Sequence, residues 1–356
     1  MKDIGSIFPL YDKQLEFAQK PFCLHSIYDR QVLYSLCREA LYDIAFIHGK
    51  GSKKVLLPAY TCQTVIDPFQ QLGWDITYYP IIKNLIIDTQ ALLAIADQCK
   101  PDVVLAHPYY GMDFNVVEKE TLQTIKRNGS IIIVDNTQCI FSKERLPFVD
   151  YYVGSYRKWF CCPDGAFLED CSKGNSSWPA INEENTEFVQ KQTDAMFLRG
   201  EYFTNSNEIV KQISIRLNKD AVKGISGTIK PHAMASFSKA MLAMEDVEYN
   251  KSQRISNYST LYIGLMNCDK CTLVSEDLSR ITNAPLYFPL YVEDRPSLQK
   301  KLAQRHIYAP VLWPVNTKEI LINTTIEYMF DHLLAIPCDQ RYDEKDMEKV
   351  ISVIND

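Results

Sequence analysis

The chain has 356 residues, 46% of them hydrophobic and 23% charged, the balance of a globular protein with room for one large domain and a smaller one. A net charge of −6 gives no basic field for nucleic acid or an anionic membrane. No stretch reaches transmembrane length and the first residues lack the apolar core of a signal peptide; eleven cysteines, several inside apolar runs (Cys37, Cys62, Cys161, Cys162), read as free thiols of a reducing cytoplasm.

Residues 1–26 read as an arm or leading helix. From Arg30 to Ile47 apolar residues at 32, 33, 36, 37, 40, 41 and 44 make a helical stripe, with Asp29 as N-cap. The spacing then predicts strand 55–58, a helix opened by A-Y-T-C-Q-T-V-I-D-P-F and ended by Gly73, strand 75–79, and a helix over 89–98 capped by Asp88 or Thr89. Strand 102–107 follows, then a helix over 115–127 stopped by Asn128-Gly129, and a strand running to Asp135. This alternation implies a mostly parallel sheet covered by helices. After a further strand, A-F-L-E (166–169), residues 170–185 read as a surface loop. Residues 186–262 are helical in pattern, with a break near G-I-S-G-T-I-K-P (224–231). The tail alternates more quickly: the run 285–292, a helix over 297–306, strand 308–313, a helix from Lys318, strand 333–337 and a helix from Asp343. The expectation is an α/β fold, a three-layer α/β/α large domain (1–250) with a mainly parallel sheet, plus a small C-terminal α+β domain (251–356).

Two stretches carry the chemistry. I-I-I-V-D-N-T-Q (131–138) is an unbroken apolar run stopping at a carboxylate, Asp135, as a strand buried on both faces does at its C-terminal end. V-D-Y-Y-V-G-S-Y-R-K-W-F (149–160) is a second short run that places Ser155, Arg157 and Lys158 in the loop beyond it, where open α/β sheets bind ligands. An acid and a lysine at two strand ends suit pyridoxal 5'-phosphate (PLP), which a lysine carries as a Schiff base while an acid partners the pyridine nitrogen. In that reading Lys158 is the carrier and proton shuttle, Asp135 keeps the ring nitrogen protonated, Gln138 hydrogen-bonds the phenolic oxygen and Ser155 the phosphate. Arg157 and burial beside Trp159 and Phe160 then lower the lysine pKa. Tyr60, Tyr109, Tyr110 and Tyr156 are placed to line a pocket, and His107 ends a strand at the same edge.

Taken in order, V-L-L-P-A-Y-T-C (55–62), V-V-L-A-H-P-Y-Y-G (103–111), V-D-N-T-Q (134–138), R-I-S-N-Y-S-T-L (254–261) and the segment 334–350 resemble the DegT-like aminotransferases of the fold-type I PLP enzymes. The resemblance implies an aminotransferase that passes amine from an amino-acid donor to a keto acceptor, such as a nucleotide-linked keto-sugar, and a homodimer with shared active sites. It matches the start of the family's phosphate-binding helix to Tyr28, Asp29, Arg30 and Gln31, and puts Cys62 where the family often stacks an aromatic on the cofactor ring. S-Y-R-K with P-D-G is nearer the cysteine desulfurase-like branch, so a PLP-dependent lyase stands as one alternative and a PLP-binding sensor or scaffold without turnover as another.

The remaining signals read more plainly. Cys268-Asp-Lys-Cys271 is a lone C-x-x-C without the second ligand pair a structural zinc needs, so no metal is expected. Cys161 and Cys162 read as buried, inert thiols and His232 as a surface residue. Arg199 and Arg295 are taken as solvated or ion-paired, or as receivers of a donor carboxylate.

Overall fold

The computed structural model describes residues 3–11, 31–172, 178–179, 181–275, 277–315 and 317–356. Its elements begin with β1 (Gln31–Tyr34), α1 (Cys37–His48), β2 (Lys54–Pro58), α2 (Gln63–Gln71), β3 (Asp75–Tyr79), α3 (Thr89–Cys99), β4 (Val103–Ala106), α4 (Val116–Arg127) and β5 (Ile131–Asp135). They continue with β6 (Tyr151–Ser155), β7 (Ala166–Asp170) and the helices α5 (Thr186–Asn205), α6 (Glu208–Gly224), α7 (Ser236–Ala243) and α8 (Val247–Leu265). The last are β8 (Thr272–Leu273), β9 (Phe288–Tyr291), α9 (Arg295–Gln304), α10 (Thr324–His332), β10 (Leu333–Ile336) and α11 (Glu344–Asn355). Seven strands form a mainly parallel main sheet and β8 to β10 a second one, the α/β architecture expected from the alternating pattern. No described helix is long and apolar enough to cross a membrane.

The chain divides into two compact units, both discontinuous: Met1–Ser6 with His48–Asp150 and Val247–Asp356, and Ile7–Ile47 with Tyr151–Asp246. In the first, the strands run β5-β4-β2-β3 and every pairing is parallel. Val103 to Ala106 and Ile132 to Asp135 are all buried, which is why these strands read as continuous apolar runs. The helices between them are started by local chemistry. Asp88 accepts from the Ala91 N–H at the head of α3. Asn115 and Glu118 form a reciprocal capping box at α4. Glu118 also accepts from the Ile87 N–H, 2.8 Å, and burial raises its pKa.

The antiparallel sheet β10-β9-β8 packs with α8, α9 and α11 around a core that includes Tyr258, Leu261, Phe288, Leu302, Leu334 and Val350. Ile4 belongs to this core and bridges Ile307. The neighbouring Gly5 N–H donates to the Tyr342 hydroxyl, 2.7 Å. Asn257, 1% exposed, donates its amide to the carbonyls of Cys338, Asp339 and Tyr342. Arg254, equally buried, binds Gln340 and the Pro285 and Leu286 carbonyls.

In the second unit β7 lies between β1 and β6, antiparallel to both. Helices α5 and α6 pair through the Ser214 hydroxyl on the Ala195 carbonyl and the Gln192–Asn218 bond. Leu10 lies against α5 at Gly200, where a Cβ would sit 2.2 Å from the Leu10 carbonyl oxygen. Only a residue without that carbon allows the approach.

Three expectations are corrected. The helix expected from Arg30 to Ile47 is two elements: residues 31–34 are β1, registered on Glu169 to Ala166, and the helix starts at Cys37. Val32, Leu33 and Tyr34 suit a strand as well as a helical stripe, and the distant β7 decides between them. Residues 308–313 are not a strand beyond the single bridge at Ile307; Pro310 has no N–H to give a ladder. The helix expected from Lys318 is a 3-10 turn over Lys318–Ile320, and α10 begins only after its cap at Asn323. The expected cap Asp29, with Tyr28 and Arg30, lies outside the described residues.

Candidate active site

In the first unit, the turns that follow β2, β4 and β5 bring the sequence candidates together at the C-terminal ends of parallel strands, the edge where such sheets bind ligands. Asp135 closes β5 and is buried. Its Oδ1 accepts from the Thr137 N–H at 2.9 Å. Its Oδ2 lies 3.6 Å from His107 Nδ1, beyond hydrogen-bond length. The other imidazole nitrogen, Nε2, is 2.7 Å from Thr61 Oγ1. Thr61 thus fixes the imidazole beside Asp135, and Asp135 keeps Oδ2 able to accept.

Gln138 lies one 3-10 turn further on. Its Oε1 accepts from the Tyr110 N–H, 3.0 Å, so the other end of its amide is a donor. That bond needs an unusual backbone: Tyr110 is left-handed, φ 48°, and Gly111 follows at φ 88°. A side chain on Gly111 would meet the Asn283 carbonyl at 2.7 Å, so this turn demands glycine.

Tyr60 is buried in an aromatic cluster, its ring centroid 4.8 Å from Trp313, 5.2 Å from Phe330 and 5.9 Å from Tyr109. Burial raises its pKa well above the ordinary phenol, so it acts as a packed wall rather than an acid. Trp313 also approaches His107, 6.0 Å between centroids. Cys62 occupies the N-cap position of α2 and its Sγ pairs with Thr64 Oγ1, 3.1 Å.

In the second unit, Ser155 ends β6 and is buried, and Lys158 lies in the 3-10 turn Tyr156–Lys158 that follows. This turn points Tyr156, Trp159 and Phe160 inward and leaves Lys158 exposed. The expected burial of the lysine amine is therefore corrected: its apolar neighbours in sequence face the other way. Arg157 lies over the Phe188 ring, 5.7 Å. Gln31 is in β1 and its side-chain oxygen accepts from the Tyr156 hydroxyl. It is not at a helix N-terminus, so the match of Arg30-Gln31 to a phosphate-binding helix start is corrected by the position of α1; Arg30 itself lies outside the described residues.

The start of α1 is instead occupied by Glu39. Its Oε2 accepts from the Leu36 and His232 N–H groups, 3.2 Å each, and its Oε1 lies 3.1 Å from His232 Nδ1. Burial raises the Glu39 pKa, and the hydrogen bond that His232 gives to Glu39 raises that of His232. His232, expected at the surface, is a half-buried partner of this carboxylate. Arg199 is fully buried against Tyr202 and Phe203, and Arg295 donates to the Phe330 and Leu333 carbonyls at the end of α10. Cys161 and Cys162 are buried, as expected, and burial pushes the Cys162 thiol far up. The described residues hold no cluster fit for a metal.

These residues fit a pyridine cofactor on two counts: Asp135 keeps an acceptor oxygen in a buried place, and Gln138 offers a donor a few residues away. Thr61 and Trp313 escaped the sequence reading. Thr61 stands in the A-Y-T-C run, but nothing local links it to His107, 46 residues away.

No family model and no curated protein sequence matches the chain. The fold itself is that of the DegT/DnrJ/EryC1/StrS aminotransferases. Among solved structures, Helicobacter pylori PseC, an aminotransferase involved in the biosynthesis of pseudoaminic acid, superposes with a TM-score of 0.65 at 10% identity, over 99% of this chain and 98% of that one. Bacillus subtilis NtdA, solved with bound cofactor PMP, gives 0.63 at 16% over 98% and 79%. A DegT/DnrJ/EryC1/StrS aminotransferase from Brucella abortus gives 0.62 at 13% over 91% and 84%.

Proposed function

We propose that this chain is a PLP-dependent aminotransferase that moves an amino group from an amino-acid donor to a keto acceptor, a nucleotide-linked keto-sugar. The observation that carries the reading is the buried Asp135 carboxylate, anchored through one oxygen and with the other left to accept at the binding edge of the parallel strands. The sugar acceptor is taken from neighbours whose names carry it, such as the sugar aminotransferase CalS13 from Micromonospora echinospora. A desulfurase would need a reactive cysteine, and Cys161 and Cys162 are both buried.

When bound, PLP supplies an aldehyde that condenses with amines and a ring that takes up an electron pair. The chain's residues do the rest. Asp135 Oδ2 would accept the ring N–H and keep the nitrogen protonated. The Thr137 N–H anchors that carboxylate through its other oxygen, and Thr61 holds the His107 ring beside it. Gln138 donates to the phenolic oxygen and Ser155 Oγ to phosphate; Tyr60 and Cys62 close the sides. Lys158 Nζ would hold the cofactor, and as a free amine it would accept the donor Cα proton. The exposed position of Lys158 leaves its amine open to condensation. We place the protein in the cytoplasm as a homodimer, the commonest closed assembly.

The test is direct. Protein loaded with PLP should show a visible band that glutamate bleaches, and borohydride should fix the cofactor on the peptide carrying Lys158. A protein that stays colourless with added PLP, or that fixes it elsewhere, refutes the proposal.

A further inference from the structure

The turn that holds Gln138 is itself fastened from its other side. Two consecutive N–H groups of that turn reach Gln138: Tyr110 donates to its side-chain oxygen, 3.0 Å, and Gly111 to its backbone carbonyl, 3.1 Å. The same few residues also meet the link between β8 and β9. There the Asn283 N–H donates to the Gly111 carbonyl, 3.0 Å. Asp113 Oδ2 accepts from the Asn283 side-chain amide, 2.6 Å, and from the Thr282 hydroxyl, 2.9 Å. The Asp113 N–H donates back to that hydroxyl at 3.3 Å. The link is anchored in its turn, because buried Arg254 of α8 donates to the Pro285 and Leu286 carbonyls, 3.2 Å each.

These bonds answer a need of the turn. Tyr110, with φ 48°, stands in the left-handed region, which is costly for a residue with a side chain and persists only where the surroundings enforce it. Gly111 follows, its backbone lying against Asn283 and Pro285. A turn relaxed to an ordinary conformation would swing the Tyr110 N–H away from Gln138 and free the amide to rotate about its last bonds. A link that merely closed a loop could cross here on backbone bonds alone. Instead Asp113, Thr282 and Asn283 direct their side chains at the one turn that binds Gln138.

We infer that Asp113, Thr282 and Asn283 form a clasp that positions Gln138: they hold the Tyr110–Gly111 turn, and through it the orientation in which Gln138 presents its amide N–H groups as donors. All three act through Gln138 and are positioning residues. The clasp stands on these bonds alone, while its consequence, a donor kept on the cofactor's phenolic oxygen, rests on the PLP chemistry proposed above. A hydrogen bond to an ionised oxygen favours that form. Loosening the clasp therefore makes the oxygen harder to ionise, and the pH at which the visible band of the PLP-loaded protein changes should rise.

The clasp is read first without cofactor, by hydrogen exchange of the full chain at the Tyr110 and Gly111 N–H groups. In Asp113→Ala these two should exchange about tenfold faster, while the β5 amides keep their protection. Thr282 is exposed, so its replacements leave the core untouched: Thr282→Val should follow Asp113→Ala, and Thr282→Ser, which keeps the hydroxyl, should match the wild type. The PLP-loaded proteins are then titrated with pH. Asp113→Ala should raise the midpoint of the visible band by up to about one pH unit, Gln138→Ala by at least as much, and the double variant no further than Gln138→Ala alone. Unchanged exchange in both Asp113→Ala and Thr282→Val overturns the inference. So does a midpoint that Asp113→Ala leaves unmoved, or moves equally when Gln138 is already alanine. A wild-type protein that never colours with PLP refutes the function proposed above and leaves the exchange result to decide the clasp.

Discussion

Replacing Asp135 by Asn separates the charge of this residue from its shape. The amide oxygen can still accept from the Thr137 N–H, as Oδ1 does at 2.9 Å, and the nitrogen takes the place of Oδ2, 3.6 Å from His107. Folding should therefore change little, within about 1 kcal/mol. The chemistry should change much more, because an opposite charge at this range shifts the pKa of its partner by about 1–3 units. At about 1.4 kcal/mol per unit, the lost stabilisation of a protonated ring nitrogen is roughly 1.4–4 kcal/mol, or about ten- to a thousand-fold in rate. The assay is a single-turnover reaction of PLP-loaded protein with glutamate, followed by absorbance, beside a thermal melt of the same sample. An Asp135→Asn variant that melts normally and reacts at the wild-type rate would refute the reasoning.

Asp164 offers a pH test. Burial is the main cause that raises its pKa from the usual 3.8 to about 6, so the folded chain binds this proton more tightly than the unfolded one. Its contribution is largest below the unfolded value and is lost as pH rises through about 6. Asp164→Asn should flatten that fall and stabilise the protein near neutral pH by up to about 3 kcal/mol, with little gain near pH 4; urea melts at both pH values that show equal shifts would contradict this. Gly200→Ala gains about 1 kcal/mol of helix propensity but drives a Cβ to 2.2 Å from the Leu10 carbonyl oxygen. A net loss of about 1–2 kcal/mol in a urea titration is expected, and a stabilised variant would remove the claim of close approach. Asn257→Ala leaves three buried carbonyls without their donor. It should cost about 2–5 kcal/mol, read as an early loss of protection in the small sheet by hydrogen exchange; unchanged protection would count against the network.

What could be read from the residues was local. Strand β5 announces itself by five apolar or acidic positions in a row, and α3, α4 and α11 by Asp88, Asn115 and Asp343 as caps. Asp135 and Gln138 could be placed because they lie directly on such an element. The split of 31–48 could not, since its first half is decided by a β7 partner some 130 residues later. The same distance hides the Glu39–His232 pair, joined across 193 residues, and the Thr61–His107 bond. The exposure of Lys158 is hidden for a nearer reason: its apolar neighbours Trp159 and Phe160 are buried while it faces out of a 3-10 turn.

Ile4 is seated among residues contributed from position 258 onward. On the ribosome, therefore, the opening residues must wait, unsatisfied, while some three hundred more are made before Ile307 emerges to receive them. Expressing positions 251–356 alone would leave a gap beside Leu302 and Tyr342, and a synthetic peptide of the first few residues supplied in trans is the natural plug for it.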